Sequence, residues 1–433
     1  MSKLTIFTNT YPYGTGETFL HEELPIVAEK FTEVIIFPLY IPQNVANNTT
    51  DITKQLTPTN VTVMEPLIGF DHKDKKNLIT NGIIPKAFFM EIVECFKRGV
   101  FLSGKKFWIF CNYTLLFNSI LNNKGAMLAV KAALIKSDVA YFYWGDKSAL
   151  IIPYLKKKLK KAPHFVVRFH GSDIYEEAKG YLPYRDKLYK AIDYAVPISK
   201  NGAEYIKQKY PNSQPQHIEI HRLGSYEHEQ INTIGNEIFH IVSCSNVIEL
   251  KRIDLIAKAL LNIEKDFGFI ERMEENGYKK IKWTHIGAGP LLDNVKQLFK
   301  LGSSIIIPNF KGYMVHTKVI EFYNNTRIEL FTQVSRSEGI PVSIMEAMSY
   351  GIPIIATNVG GVSELFSNSQ QCEYGTLLPK DITAIELENA IKKFILLPDS
   401  DMEHARATAR TEWETNWNSQ KNYSKFADFL VQL

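Results

Sequence analysis

Short apolar runs alternate with longer amphipathic stretches along most of the chain. Leu4–Thr8, Ile238–Cys244 and Ile328–Phe331 are β-prone runs of this kind. Each run is followed by a loop and then by apolar residues at helical spacing. Strands that alternate with helices in this way predict parallel α/β sheets.

Polar residues between Gly224 and Asn236 interrupt the alternation and predict a domain boundary. Both halves repeat the strand-loop-helix unit, so we predict an α/β protein with two Rossmann-like, doubly wound domains. The predicted bounds are 1–225 for the first domain and 226–410 for the second, followed by a C-terminal segment over 411–433.

The stretch from Ile84 to Ala140 is helical in pattern and rich in Phe, Trp, Leu and Lys. It predicts helices near Pro85–Arg98, Phe107–Leu121 and Ala126–Lys136. Their aromatic and apolar faces fit a buried core, and they also fit an acceptor groove or a membrane-facing surface. The polar region Ile41–Lys76 predicts no regular element.

Composition narrows the class of protein. A chain of 433 residues with 45% hydrophobic composition can build two or three domains. Its net charge is only +4, and it has no aromatic-basic RNA motif, so we expect no nucleic-acid partner. The cysteines lack metal-ligand spacing and suit a reducing compartment, which predicts a cytoplasmic protein; they are Cys95, Cys111, Cys244 and Cys372.

Membrane contact, if the chain makes any, is expected to be peripheral. The start MSKLTIFTN has the pattern of a short strand and not of a secretory signal. The apolar run Ala126–Ile135 is interrupted by Lys131 and is shorter than the roughly 20 residues that a spanning helix needs. The basic run Tyr154–Lys161, YLKKKLKK, fits a solvated helix face or a contact with an anionic membrane.

The stretch 335–364, SRSEGIPVSIMEAMSYGIPIIATNVGGVSE, holds the most specific pattern. Pro341 is suited to the first residue of a helix, which we predict over Pro341–Ser349. The free N–H groups at its start form a binding site for a phosphate or a sugar oxygen. Glu338 lies before this helix and Glu346 inside it, so the two carboxylates face different parts of one ligand.

This stretch resembles the GT-B retaining glycosyltransferases of family 4, whose signature is E-x7-E with EAM, G-x-P and GG. The resemblance implies two lobes that face each other across a cleft, with a C-terminal helix that returns to the first lobe. It places Glu338 at the donor sugar and Glu346 at the nucleotide ribose. It also implies that the loop and helix start cradle sugar and phosphate oxygens, through Gly339, Ile340, Pro341, Val342 and Ser343.

Two features of the first half match the same family. The loop after Leu4–Thr8 contains Gly14 and Gly16, which fit either a plain β-α turn or the family's glycine-rich loop beside the donor diphosphate; Glu17 follows as a further candidate. The run VVRFHGSD ends in His170, which the resemblance places at the donor sugar. Asp173 is expected to hold that loop.

In the second half, Lys251 precedes a helix, where its charge would stabilise a departing diphosphate. The family usually has an arginine five residues earlier, but this chain has Asn246, a departure that neighbouring Arg252 could compensate. Gly312 and Tyr313 fall where the family holds the nucleotide base.

The resemblance implies a retaining glycosyltransferase that moves a hexose-type sugar from a nucleotide-sugar donor to an acceptor hydroxyl. A glycan or a lipid-linked glycan is the expected acceptor, in the synthesis of bacterial capsule, exopolysaccharide or lipopolysaccharide. No DxD-type metal motif is identifiable, so neither a metal nor another cofactor is expected. The alternatives are a nucleotide-sugar epimerase of GT-B fold and a non-catalytic binding protein that kept the fold.

Overall fold

The computed structural model describes residues 2–14, 16–17, 19–42, 45, 57–69, 86–228, 237–366 and 371–433. The chain divides into two compact units. The first unit comprises Met1–Arg222 and Gln420–Leu433, and the second comprises Leu223–Ser419. Residues 43–44, 46–56 and 70–76 of the predicted irregular region, and residues 229–236 of the predicted boundary, lie outside the described part of the chain.

The first unit is built on a parallel sheet whose described strands follow the order β3-β2-β1-β4-β5-β6-β7. Leu4 of the central strand lies between Val34 and Val139 of its two neighbours. The strands are β1 Lys3–Thr8, β2 Glu33–Pro38, β3 Val61–Val63, β4 Val139–Phe142, β5 His164–Phe169, β6 Tyr194–Pro197 and β7 His217–Ile218.

Helices cover both faces of this sheet, because successive side chains of a strand point to opposite faces. Ile6 packs in one buried cluster and Phe7 in the other, where the ring of Phe7 stacks on that of Phe142 at 4.1 Å. The helices are α1 Leu20–Ala28, α2 Lys86–Lys97, α3 Gly104–Asn122, α4 Lys124–Lys136, α5 Ile152–Lys158, α6 Gly171–Ile174, α7 Glu176–Lys179, α8 Arg185–Ala191 and α9 Lys200–Lys209.

A buried ion pair lies under the last helix of the chain. Arg168 of β5 and Glu23 of α1 are both fully buried, and their side chains are 2.5 Å apart. Tyr141 donates a hydrogen bond to Glu23, and the Arg168 guanidinium lies 4.2 Å from the centre of the Phe426 ring. The C-terminal residues therefore complete the core of the first unit.

The second unit repeats the architecture. Its described strands follow the order β10-β9-β8-β11-β12-β14-β13, and all neighbours are parallel except β13 with β14. The strands are β8 Ile238–Cys244, β9 Lys280–Ile286, β10 Ile306–Gly312, β11 Leu330–Gln333, β12 Ile354–Thr357, β13 Gln371–Cys372 and β14 Gly375–Leu378. The prediction of two doubly wound α/β domains is confirmed.

The second unit extends to Ser419, whereas the sequence placed its end at residue 410. Trp413 and Trp417 are fully buried in the same apolar cluster as Met348, which ties this part of the tail to the second unit. The remaining helices are α10 Ile253–Ile263, α11 Phe267–Glu275, α12 Leu292–Gln297, α13 His316–Asn324, α14 Val342–Ser349, α15 Ala384–Ile395, α16 Asp399–Asn416 and α17 Ser419–Val431.

The aromatic helices of the first unit have two kinds of face. Phe110 and Phe117 of α3 are buried in the core, while Phe96 of α2 and Trp108 of α3 are 70% and 61% exposed. Within the described residues, no helix combines the length and the apolar character that a transmembrane span requires.

Candidate active site

The order of the second sheet reverses between β8 and β11, which are neighbours at its centre. Open α/β sheets bind ligands at such a reversal, beyond the carboxyl ends of the strands. The loop after β8 carries Lys251, and the loop after β11 carries Glu338. The topology thus brings together two residues that are 87 positions apart.

These two loops are held against each other by two hydrogen bonds. The N–H of Arg336 donates to the carbonyl of Leu250 at 2.8 Å. In the opposite direction, Nε of Arg252 donates to the carbonyl of Val334 at 2.6 Å. Lys251 ends a 3-10 turn, Glu249–Lys251, and lies between the two residues, Leu250 and Arg252, that make these contacts.

Glu338 is the centre of a small polar network. Its Oε1 accepts hydrogen bonds from Nζ of Lys251 at 2.5 Å and from Nε2 of Gln333 at 2.6 Å. Oγ of Ser343 donates to Oε1 of Gln333 at 2.7 Å. The Lys251 and Glu338 side chains are only 19% and 11% exposed, so the pair is partly desolvated. The carboxylate is consequently held in one orientation.

The sequence analysis did not single out Gln333. It is the last residue of β11 and is 7% exposed. A polar residue at the carboxyl end of a central strand, five positions before Glu338, was the available signal.

The helix that follows Glu338 begins one residue later than predicted, with Pro341 as its N-cap. Proline offers no side-chain acceptor, and no side-chain capping bond is made there. The N–H groups of Val342 and Ser343 in the first helical turn lack intrahelical acceptors and lie at the positive end of the helix dipole. This arrangement favours an anionic ligand.

Two glycines keep the Glu338 loop in place. Gly360 has a φ of +56°, and a Cβ there would lie 1.9 Å from the carbonyl oxygen of Glu338. The N–H of Gly361 donates to the carbonyl of Gly339 at 2.8 Å, and a Cβ at Gly361 would lie 2.6 Å from Cγ1 of Ile340. The GG pair in the sequence thus marks a close approach of two backbones.

Glu346 lies inside α14 and is 8% exposed. Its Oε1 is 2.7 Å from Nε2 of His316, which begins α13. Burial and the charge of Glu346 raise the pKa of Cys244, the last residue of β8, to about 12. His316 is therefore a further site residue that the sequence analysis did not identify.

The candidate cations of this site differ in accessibility. Asn246 is exposed in the loop after β8, at the position where an arginine was expected. Arg252 is 8% exposed, is bound to the Val334 carbonyl and has its pKa lowered by burial and by Arg336. Arg336 has a side chain that is 52% exposed and lies 3.7 Å from Glu249. Arg336 is thus more accessible to a ligand than Arg252.

The region predicted to hold the nucleotide base lies at the end of β10. Gly312 has a φ of +68°, and its carbonyl accepts a hydrogen bond from the N–H of Gly287 at 2.8 Å. Tyr313 follows and is 74% exposed. A Cβ at Gly287 would lie 1.9 Å from the carbonyl oxygen of Ser245, so the loops after β8 and β9 pack backbone to backbone.

In the first unit, Glu17 organises the loop after β1. Its carboxylate accepts hydrogen bonds from the N–H groups of Asn9, Thr10 and Tyr11 at 2.7 to 2.8 Å, and from the indole of Trp144 at 2.8 Å. Glu17 is 1% exposed and thus fills the anion-binding position of its own loop. We therefore assign it a structural role.

The two glycines of this loop differ in their surroundings. A Cβ at Gly14 would lie 2.1 Å from Oγ1 of Thr10, whereas a Cβ at Gly16 would meet no atom within 4 Å. Gly14 is required by the compact turn, and Gly16 leaves space beside the loop.

His170 follows β5 and is 7% exposed. Burial and the charge of Arg168 lower its pKa to about 3, so the imidazole is neutral near pH 7. Its Nε2 lies 3.0 Å from the Tyr143 carbonyl, and because a carbonyl only accepts, Nε2 carries the proton. Asp173 accepts from the N–H groups of His170 and Gly145, each at 2.6 Å, and so holds this loop.

The predicted residues therefore fall into two groups. The structure brings Lys251, Glu338 and Ser343 into one network in the second unit, while His170 and Gly14 belong to the first unit. Among the residues that the structure describes, no group of three or more His, Cys, Asp or Glu side chains could hold a metal ion.

Residues 227–412 match the sequence profile of the family described as glycosyl transferases group 1. The chain is also similar across its whole length to Anabaena HepE solved in complex with UDP, with a TM-score of 0.62, 13% identity and full coverage of both chains. The matched residues span most of the second unit, and the chain has the GT-B fold.

The chain is also similar to two curated relatives. It is 24% identical over 323 residues to the amylovoran biosynthesis glycosyltransferase AmsK of Erwinia amylovora, which covers 71% of this chain and 73% of AmsK. It is 26% identical over 349 residues to the protein CapJ of Staphylococcus aureus, which covers 76% of this chain and 82% of CapJ.

Proposed function

We propose that the chain is a retaining glycosyltransferase that uses a nucleotide-sugar donor in bacterial cell-surface polysaccharide synthesis. The observation that carries this proposal is the placement of Glu338. Its carboxylate is fixed by Lys251 and Gln333, directly before a helix whose first N–H groups are open to an anion.

In the proposed donor complex, the diphosphate lies at the N-terminus of α14, where the amides from Gly339 to Ser343 contact its oxygens. Lys251 now pairs with Glu338, and it would share its charge with the departing diphosphate during reaction. Arg336 is the cation best placed to compensate for Asn246, because it is exposed and its loop contacts the Lys251 loop.

The proposed reaction keeps the configuration of the sugar. The bond from the anomeric carbon to the diphosphate oxygen breaks, the acceptor oxygen bonds to the same face, and the departing diphosphate takes the acceptor proton. Glu338 holds the sugar, and Glu346 binds the ribose. The amide cradle and the two cations supply the charge stabilisation that a metal ion gives in other transferases, so we propose turnover without one.

We propose a glycan or a lipid-linked glycan as acceptor, bound by the first unit. The support is the similarity to AmsK, which is named for amylovoran biosynthesis. Anabaena HepE was solved with UDP, and this makes UDP-sugars the first donors to screen.

Paired substitutions test the assignment of the two carboxylates. Glu346→Ala is expected to weaken binding of the nucleoside diphosphate, measured by calorimetry, whereas Glu338→Ala keeps that affinity and lowers kcat. Glu329→Ala is a control for loss of a carboxylate, because Glu329 is buried in the same unit and pairs with Arg327. Unchanged nucleotide affinity in Glu346→Ala would refute the ribose assignment.

The main competing function is a binding protein that kept the fold without catalysis, and the exposed Asn246 favours it. A panel of nucleotide sugars screened by thermal shift separates the two, because a ligand that binds only the folded state raises the unfolding temperature. Binding without transfer or hydrolysis of any donor, with acceptor lipids present, would favour the binding protein.

A further inference from the structure

The first unit carries a cluster of exposed aromatic and apolar side chains on α2, α3 and the 3-10 turn between them. Phe96 and Phe101 have their ring centres 4.9 Å apart, and Phe101 and Phe107 have theirs 6.0 Å apart. The seven members are between 38% and 93% exposed, and we call them the aromatic patch: Phe89, Val93, Phe96, Phe101, Leu102, Phe107 and Trp108.

The patch continues along one face of α2. Phe89, Val93 and Phe96 are spaced by four and three residues, which places them on the same side of a helix. The opposite side packs inward through Glu91 and Cys95, which are 2% and 0% exposed. Helix α2 therefore has one buried face and an opposite face that is apolar and exposed.

The sequence through most of the patch carries only positive charge. Between Cys95 and Ser137 the sequence has no Asp or Glu, and its charged residues are Lys97, Arg98, Lys105, Lys106, Lys124, Lys131 and Lys136. Lys97 and Arg98 pair with carboxylates of Glu94, Glu176 and Asp186. Lys105 and Lys106 make no ion pair among the described residues, and both lie in the first turn of α3 beside Phe107 and Trp108.

We propose that the aromatic patch is a docking surface for an anionic phospholipid bilayer. Aromatic side chains favour the membrane interface, where their rings reach the acyl boundary while lysines contact the head groups. The lysines without carboxylate partners match a surface of negative charge. Glu94, which lies between Val93 and Phe96, is paired with Lys97, so the charge beside the patch that lacks a partner is that of the lysines.

This inference does not depend on the sugar or the acceptor of the proposed reaction. It adds a partner for a surface that lies outside the donor site of the second unit. If the proposed function fails, vesicle binding is unaffected, and if vesicle binding fails, transfer to a water-soluble acceptor is unaffected.

Co-sedimentation with vesicles tests the docking surface. The wild-type chain is expected to bind vesicles of phosphatidylglycerol and phosphatidylcholine, and to bind pure phosphatidylcholine weakly. Phe96→Ser with Trp108→Ser should lower the partition coefficient at least about ten-fold. Phe267→Ser with Leu301→Ser removes exposed apolar residues of the second unit, 78% and 102% exposed, and should leave binding unchanged.

A second pair of variants tests how much the lysines contribute to vesicle binding. Lys105→Gln with Lys106→Gln should lower binding to anionic vesicles by about 25-fold, because each lysine near an anionic surface contributes a factor of about five. Lys200→Gln with Lys207→Gln removes the same charge from α9 and is the matched control.

Fluorescence reports the contact directly. Trp108 is 61% exposed, whereas Trp283, Trp413 and Trp417 are fully buried and Trp144 is half-buried. A blue shift on addition of anionic vesicles is expected from the wild type, and Trp108→Phe should bind equally well and lose the shift.

Three outcomes would overturn the proposal. The first is that the wild type and the Phe96→Ser, Trp108→Ser variant bind vesicles equally well. The second is that the wild type shows no preference for vesicles of anionic lipid. The third is that the wild type forms a concentration-dependent dimer and this variant is monomeric. The last outcome would assign the patch to a second copy of the chain. Cooperative unfolding of each variant at the wild-type temperature confirms that the surface, and not the fold, was changed.

Discussion

Substitution of Gly360 by alanine is expected to impair the donor site through backbone displacement. A Cβ at this position would lie 1.9 Å from the carbonyl oxygen of Glu338, whereas real contacts stay above 3.0 Å. The Glu338 loop must therefore move by about 1 Å, a displacement that can lower a rate about 100-fold. We expect kcat/KM to fall by that factor.

The variant also carries a cost that is unrelated to the site. Gly360 has a φ of +56°, where a Cβ is disfavoured by roughly 1 to 2 kcal/mol. Gly302 is the matched control, because its φ is +75° and its Cβ would meet no atom within 4 Å. Gly302→Ala should therefore lose a similar amount of stability and keep full activity.

The assay follows donor consumption at saturating acceptor, with the donor selected by thermal shift, and unfolding is measured by calorimetry for both variants. The ratio of the two kcat/KM values gives the effect of displacing Glu338 alone, because both variants carry the cost of a Cβ at positive φ. If Gly360→Ala is as active as Gly302→Ala, the argument that this glycine positions Glu338 is refuted.

Three further predictions concern pH, a buried ion pair and metal dependence. Burial lowers the His170 pKa from 6.5 to about 3, so its neutral form supports folding above pH 6.5 and this stability is lost as the pH falls towards 3. In that pH range, His170→Asn should reduce the slope of the unfolding free energy against pH by up to about 1.4 kcal/mol per pH unit. An unchanged slope contradicts this prediction. Arg168→Met should destabilise the chain by about 3 to 5 kcal/mol, and added Glu23→Gln should restore most of it, as measured by denaturant titration; no recovery in the double variant contradicts the pairing. Transfer should persist in excess EDTA, and loss that only Mg²⁺ or Mn²⁺ restores would refute metal-free turnover.

The sequence predicted the architecture well because strand and helix periods are local signals. It placed Ile238–Cys244 as a strand with the bounds that the structure has. It also predicted a helix that starts beside Glu338, although Pro341 caps that helix instead of opening it. Gly and Pro residues fix such boundaries within a few positions.

Side-chain partners were less predictable, because they depend on which loops the sheet brings together. Nothing local connects Lys251 with Glu338 or His316 with Glu346, and only the strand order places them in contact. The contacts of Glu17 also could not be predicted from the local sequence. An acidic residue in a glycine-containing loop fits a ligand contact, yet here its carboxylate satisfies three N–H groups of its own loop.

The packing of α17 has a consequence for synthesis of the chain. Phe426 covers the Arg168 guanidinium at 4.2 Å, so the first unit obtains this part of its core from residues that follow the whole second unit in the sequence. Until α17 has been synthesised and packed, the Arg168 guanidinium lacks this cover. A chain that stops before α17 would thus be expected to bind chaperones or to be degraded, even with every donor-site residue present.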